Sequence, residues 1–213
     1  MDQIVILCHS PRSCSTAALI ALAESGLPYD VRNVDVPSGQ AGHAAHLSVN
    51  PWGKVPALIL DDGQVIVETA AILAFIATLA PDRQLLPAAG SVAWAQAVAF
   101  MATLTGTVHI AFRPLLRPDR LAQTLAGRED VTATGQGALN AVLQQLEQAV
   151  QGPASILAGG FSLCDAYAFV FAQWKRRPQV APYVVETPRL DAVARAVAAR
   201  PLASAVLRDL PAI

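Results

Sequence analysis

The chain has 213 residues, 54% of them hydrophobic and 15% charged, and its 15 basic and 16 acidic side chains leave a net charge of −1. That length holds one large domain or two small ones, and the composition excludes disorder over most of it. No long basic stretch offers a footprint for nucleic acid, and Lys54 and Lys175 are the only lysines.

The opening MDQIVILC has an acid at Asp2, no basic leader and no cleavage site, so no signal peptide is expected and a reducing cytoplasm is the default. Residues 3–8 are a short apolar run suited to a buried strand. A helix over 14–25 comes next, closed by Gly26, and 29–36 alternate as a half-exposed strand. Strand, helix, strand at this length is a βαβ unit with parallel strands. Residues 37–53 read as an irregular connection. VPALIL and QVIV, separated by Asp61-Asp62-Gly63, read as a hairpin, and a compact helix over 69–79 completes a β-α-β-β-α order. Pro- and Gly-bearing residues 80–90 read as a linker. Helices are expected over 91–112, 115–125, 132–150, 163–177, 189–199 and 202–209, with breaks at Pro114 and Gly127 among others. The fold class is therefore α/β first and all-α second.

No charged residue lies between Arg83 and Arg113, a span long enough for a bilayer. Its apolar positions are mostly alanine, and it carries Pro87, Gly90, Gln96 and His109. It reads as a helix buried in protein on nearly every side, and no membrane partner is expected. Such an uncharged helix is hard to bury within one small chain, which points to a homodimer. Three sparse cysteines, Cys8, Cys14 and Cys164, with no CxxC pair, argue against disulfides and zinc; no metal is expected.

Three places suit chemistry. In Ser13-Cys14-Ser15 a helix N-terminus favours an anion, either the thiolate of Cys14 or a ligand's; alternatively Ser13 merely caps the helix and Cys14 packs beneath it. In Lys54-Val55-Pro56 a cis bond would present the Val55 backbone to a peptide-like ligand; an ordinary trans proline at a sheet edge is the other reading. At Glu68-Thr69, Thr69 caps the next helix and Glu68 holds an ammonium, or the pair is a plain cap with an acid. Ser162 with Asp165 forms a capping-box pattern, and Cys164 and Cys8 read as core.

The pieces PRSCSTAALIALAESGLPY, NPWGKVPALILDDG, VETAAILAFIA, PDRQLLP and FSLCDAYAF, in that order over the full length, resemble the glutathione transferases, the bacterial beta class above all. The resemblance implies a thioredoxin-like glutathione-binding domain over 1–80, a linker over 81–90, an all-helical domain over 91–213, and pairing as a homodimer. It implies that Cys14, with Ser13 or Ser15, sits at the glutathione sulfur. Val55, with a cis Pro56, would bind the cysteinyl part through the main chain, Lys54 would be a further substrate-binding residue, and Glu68 and Thr69 would hold the γ-glutamyl end. His109 would approach the mouth of the site, the other reading of it being a hydrogen-bonded core residue, and Trp174 would either face a hydrophobic electrophile or pack in the core. The implied activity is attack of a glutathione thiolate on that electrophile, as in detoxification. Thiol–disulfide exchange through Cys14 is one alternative. A second is a zeta-class-like isomerase using Ser13, since the S-C-S run also resembles that class. A third is a non-catalytic binding protein on the same fold. Arg12 and Ser13 depart from the small residues usual in the beta-class loop.

Overall fold

The computed structural model describes residues 4–208. β1 (Val5–His9) is followed by α1 (Ser15–Ser25) and β2 (Tyr29–Asn33), then by a short helix α2 (Ala44–Leu47). β3 (Ala57–Ile59), β4 (Val65–Val67) and α3 (Thr69–Leu79) come next. The sheet order is β2-β1-β3-β4, with β1 and β2 parallel and the other pairs antiparallel. The βαβ and hairpin expectations therefore hold. Gly26 ends α1 at φ 73°, a left-handed conformation that glycine adopts without a Cβ penalty.

Alternation along β1 sorts the core. Val5 and Leu7 pack with α1 and α3 on one face, and His9 shares their side of the pleat. Cys8 points the other way, among Val34, Ala41 and Ala57. Residues 37–53, expected to be irregular, contain α2, which is too short for its periodicity to show in a sequence.

The remaining chain is helical: α4 (Val92–Thr103), α5 (His109–Leu116), α6 (Leu125–Ala149), α7 (Leu163–Trp174), α8 (Pro188–Ala199) and α9 (Pro201–Leu207). Two expected breaks are overturned. α4 runs through a π-helical turn, Leu104–Val108, straight into α5, and Pro114 lies inside that helix rather than ending it. The helix expected over 115–125 is replaced by the end of α5 and a 3₁₀ turn at Pro118–Arg120. α6 starts seven residues earlier than 132, because Thr124 accepts the Gly127 N–H as an N-cap and Gly127 lies in the first turn rather than at a break. The expected strand start at Gln3 and the expected helix end at Asp209 lie outside the described residues.

The segment Val92–Leu116 is the one helix among the described residues long and apolar enough to cross a membrane. Only 28% of its apolar stretch is buried, so the expectation of burial on nearly every side is wrong for the single chain. Val92, Ala95, Ala99, Gly106 and Ile110 form an exposed, uncharged face.

Candidate active site

The β1–α1 turn, residues 10–14, meets α5 through Cys14 and His109 and α7 through Arg12 and Trp174. Arg12 adopts φ 62°, a left-handed conformation that costs a non-glycine residue about 1–2 kcal/mol. Its carbonyl is held by two donors from the far end of the chain. The Trp174 indole N–H reaches it at 2.9 Å and Arg177 Nη2 at 2.5 Å.

Cys14 and His109, 95 positions apart, meet at 3.3 Å between Sγ and Nδ1. The π turn just before His109 adds a residue to the helical repeat and so rotates α5 about the helix axis by about 100°. Burial pushes the Cys14 thiol up to about 12, outweighing the Tyr167 hydroxyl and the Arg177 charge that favour the thiolate. Burial lowers His109 to about 4, and the charges of Arg113 and Lys54 add to this. Both groups are neutral at pH 7. The contact is therefore one between a neutral thiol and a neutral imidazole, and the tautomer of the ring sets which of the two donates. Cys14 is only 5% exposed.

The first-turn amides of α1 are largely taken. Ser15 N–H donates to Ser13 Oγ at 3.1 Å, Thr16 N–H to the Ser13 carbonyl and Ala17 N–H to the Cys14 carbonyl. A ligand here therefore meets the half-buried Ser13 hydroxyl rather than bare amides at 15–17. Ser15 is fully buried. Its hydroxyl lies 2.7 Å from Ser13 Oγ and 2.8 Å from His9 Nδ1, and it faces the interior rather than a ligand.

The Val55-Pro56 peptide bond is cis. The loop before it is organised on the Lys54 carbonyl, which accepts from Asn50 Nδ2 at 2.8 Å and contacts His46 Nε2 at 2.9 Å. Glu68, not Thr69, occupies the N-cap position of α3, at φ 70°, with no side-chain cap. Thr69 is the first helical residue and is buried. The Tyr167 phenol lies 3.1 Å from Thr105 Oγ1, and burial pushes its own titration up. Trp174 is buried in an aromatic cluster. It meets the His109 ring edge-on at 5.0 Å and Phe112 at 5.7 Å. Beyond that cluster it touches the Arg12 carbonyl, and the Arg177 guanidinium lies over its ring at 5.0 Å.

Sequence reasoning missed Tyr167, Thr105, Arg177, His46, Asn50 and His9. Tyr167 and Asn50 left a trace, as polar residues inside the FSLCDAYAF and NPWGKVPALILDDG pieces. One cleft of about 630 Å³ flanks the same turn from the β2 side, lined by His9, Arg12, Tyr29, Asn33 and Val206 among others. It contains none of Cys14, Val55, Glu68, Thr69 or His109, so the chemistry is placed by the side-chain constellation instead.

Residues 12–79 match the family model for the N-terminal domain of glutathione S-transferases. The chain is 32% identical over 169 residues to glutathione S-transferase GstA of Escherichia coli O157:H7, covering 79% of this chain and 81% of that one. A glutathione transferase homolog from Sulfitobacter, solved with bound glutathione, superposes with a TM-score of 0.84 at 31% identity over 98% of both chains. The bacterial beta class enzyme of Sphingomonas chungbukensis gives 0.80 at 31% identity, over 95% of this chain and 97% of that one. The thioredoxin-like sheet followed by helices is thus the glutathione transferase fold.

Proposed function

The chain belongs to the glutathione S-transferase family and is most like its bacterial beta class, and from that premise we propose that it conjugates glutathione to an electrophilic small molecule, with Ser13 as the donor to the sulfur. The observation that carries the choice of Ser13 is the state of Cys14: buried, neutral and bonded to His109. Ser13 is the more exposed of the two at the positive end of α1.

Glutathione supplies the nucleophilic sulfur. The protein binds and orients it and stabilises the anion with a fixed donor. The donor set fits the tripeptide. The Val55 backbone, beside the cis bond, pairs with the cysteinyl part. Glu68 takes the γ-glutamyl ammonium, the start of α3 at Thr69 takes its carboxylate, and the exposed Lys54 takes the glycyl carboxylate. His109 and Trp174 wall the electrophile side. Cys14 serves as packing for the His109 ring, which disfavours disulfide exchange through it. Free cysteines suit a reducing, cytoplasmic setting for such a reaction.

Ser13→Ala is expected to lower kcat/KM for an activated aryl halide about tenfold to a hundredfold. Cys14→Ala is expected to stay within a few fold. The reverse pattern overturns the Ser13 assignment, and a chain that does not bind glutathione at about 10 mM overturns the transferase reading.

We further propose a homodimer through the uncharged face of Val92–Leu116. Val92 is 76% exposed and Ile110 46%, and burial against a second copy removes both from water. Sedimentation at micromolar concentration is expected to give twice the chain mass. A monomer there sinks this proposal.

A further inference from the structure

The β1–α1 turn holds a run of three side chains, His9, Ser15 and Ser13, linked by hydrogen bonds. The His9 ring is 2% exposed, with Nδ1 2.8 Å from Ser15 Oγ. Its Nε2 is buried and has no hydrogen-bond partner among the described residues. Burial lowers His9 to about 4, so at pH 7 the ring carries one proton. A buried N–H without an acceptor is rarer and costlier than an unused lone pair. The proton therefore belongs on Nδ1, and Nε2 is left as a bare acceptor.

That choice sets the direction of the hydroxyl bonds beyond it. Ser15 Oγ accepts from His9 Nδ1 and from the Ser10 N–H at 3.0 Å, which fills both lone pairs. Its own proton has two acceptors in reach, Ser13 Oγ at 2.7 Å and the Ser10 carbonyl at 3.2 Å, and the shorter contact takes it. Ser13 Oγ then accepts from the Ser15 hydroxyl and from the Ser15 N–H at 3.1 Å. Both its lone pairs are used. What remains is its own O–H, on the half-buried end of the chain. With the opposite tautomer the hydroxyl bonds reverse while the two backbone N–H bonds stay as they are: Ser13 donates inward and turns a lone pair toward the site, which repels an anion.

We propose that His9 is a positioning residue that, through Ser15, holds the Ser13 hydroxyl as an outward donor to a sulfur anion. The inference rests on the transferase reading for the identity of that anion, but not for the polarity of the chain.

Nitrogen-15 NMR of histidine-labelled, unliganded full-length protein tests the polarity directly. His9, assigned by its absence in His9→Asn, is expected to be protonated on Nδ1 and bare on Nε2; a proton on Nε2 overturns the proposal. This measurement needs neither glutathione nor a variant that folds perfectly. The thiolate absorbance of bound glutathione tests the consequence. His9→Leu is expected to raise the bound thiol's pKa by about one unit, a tenfold loss of thiolate at a given pH below it. His9→Asn, whose amide N–H replaces Nδ1–H, is expected to keep the wild-type value. In a Ser13→Ala background His9→Leu is expected to add nothing. An unchanged pKa in His9→Leu, or an additive shift in the double variant, overturns the relay. If the wild-type chain fails to bind glutathione, the sulfur falls as the target of Ser13, while the tautomer stands or falls on the NMR alone.

Discussion

Cysteine is the residue on which the site turns, and burial decides its behaviour. Cys14 and Cys164 are both pushed up to about 12, and Cys8 is raised as well, in each case chiefly by loss of solvent. The thiolate is the reactive form. Against an ordinary thiol at 9.0, Cys14 therefore offers about a thousandfold less thiolate at neutral pH. The native protein at pH 8 is expected to resist iodoacetamide at all three positions, and the unfolded chain to react at three. Mass spectrometry reads both. Rapid labelling at Cys14 alone would restore disulfide exchange as the better reading. The pattern marked Cys14 as a candidate because it opens a helix, and resemblance brought in His109. Neither revealed that burial holds both of them neutral in contact, since the 3.3 Å approach is a tertiary one over 95 positions. His9 lay just past the expected strand over 3–8, and its role was not legible because it depends on which of its nitrogens lacks a partner.

At the scale of elements, β1, α1, β3, β4 and α3 were readable from apolar period and turn chemistry, and α3 falls on the expected residues 69–79. Pro114 misled because a proline in sequence signals an end. Its ring costs one backbone hydrogen bond and needs room, and a neighbouring helix provides the room. Gly135 of α6 lies against the ring so closely that an added Cβ would stand 2.3 Å from Pro114 Cβ. Thr132 Oγ1 reaches the Pro114 carbonyl at 3.1 Å from the same helix. Gly135→Ala is expected to force α5 and α6 apart and cost about 1–3 kcal/mol, despite alanine's better helix propensity. Urea unfolding measures it; a variant as stable as the parent would show that α5 yields without cost.

At the scale of the whole molecule, the two-part order was legible from the change of period after residue 80. How the parts hold each other was not, because the joining residues look like ordinary surface charges in sequence. Glu24, 2% exposed at the end of α1, takes a bidentate bond from Arg200 at 2.9 and 2.7 Å, and its carbonyl accepts Arg83 Nε at 2.8 Å. The Arg200 side chain is 37% exposed and rests on Phe161, so water screens part of the pair. Glu24→Gln is expected to cost about 2 kcal/mol, less than a fully buried pair would, seen as a lower denaturation midpoint. An unchanged midpoint would mean that α1 and the α8–α9 corner are held by apolar packing alone.

The Arg12 carbonyl, clasped by Trp174 and Arg177, carries a consequence for biosynthesis. A nascent polypeptide on the ribosome can pair its strands and wind α1 early, since those partners are close in sequence. The turn bearing Ser13 has to wait until a tryptophan encoded 162 codons after Arg12 has emerged and docked. Any truncation before α7 is therefore expected to leave the β1–α1 turn without the two donors that hold its Arg12 carbonyl.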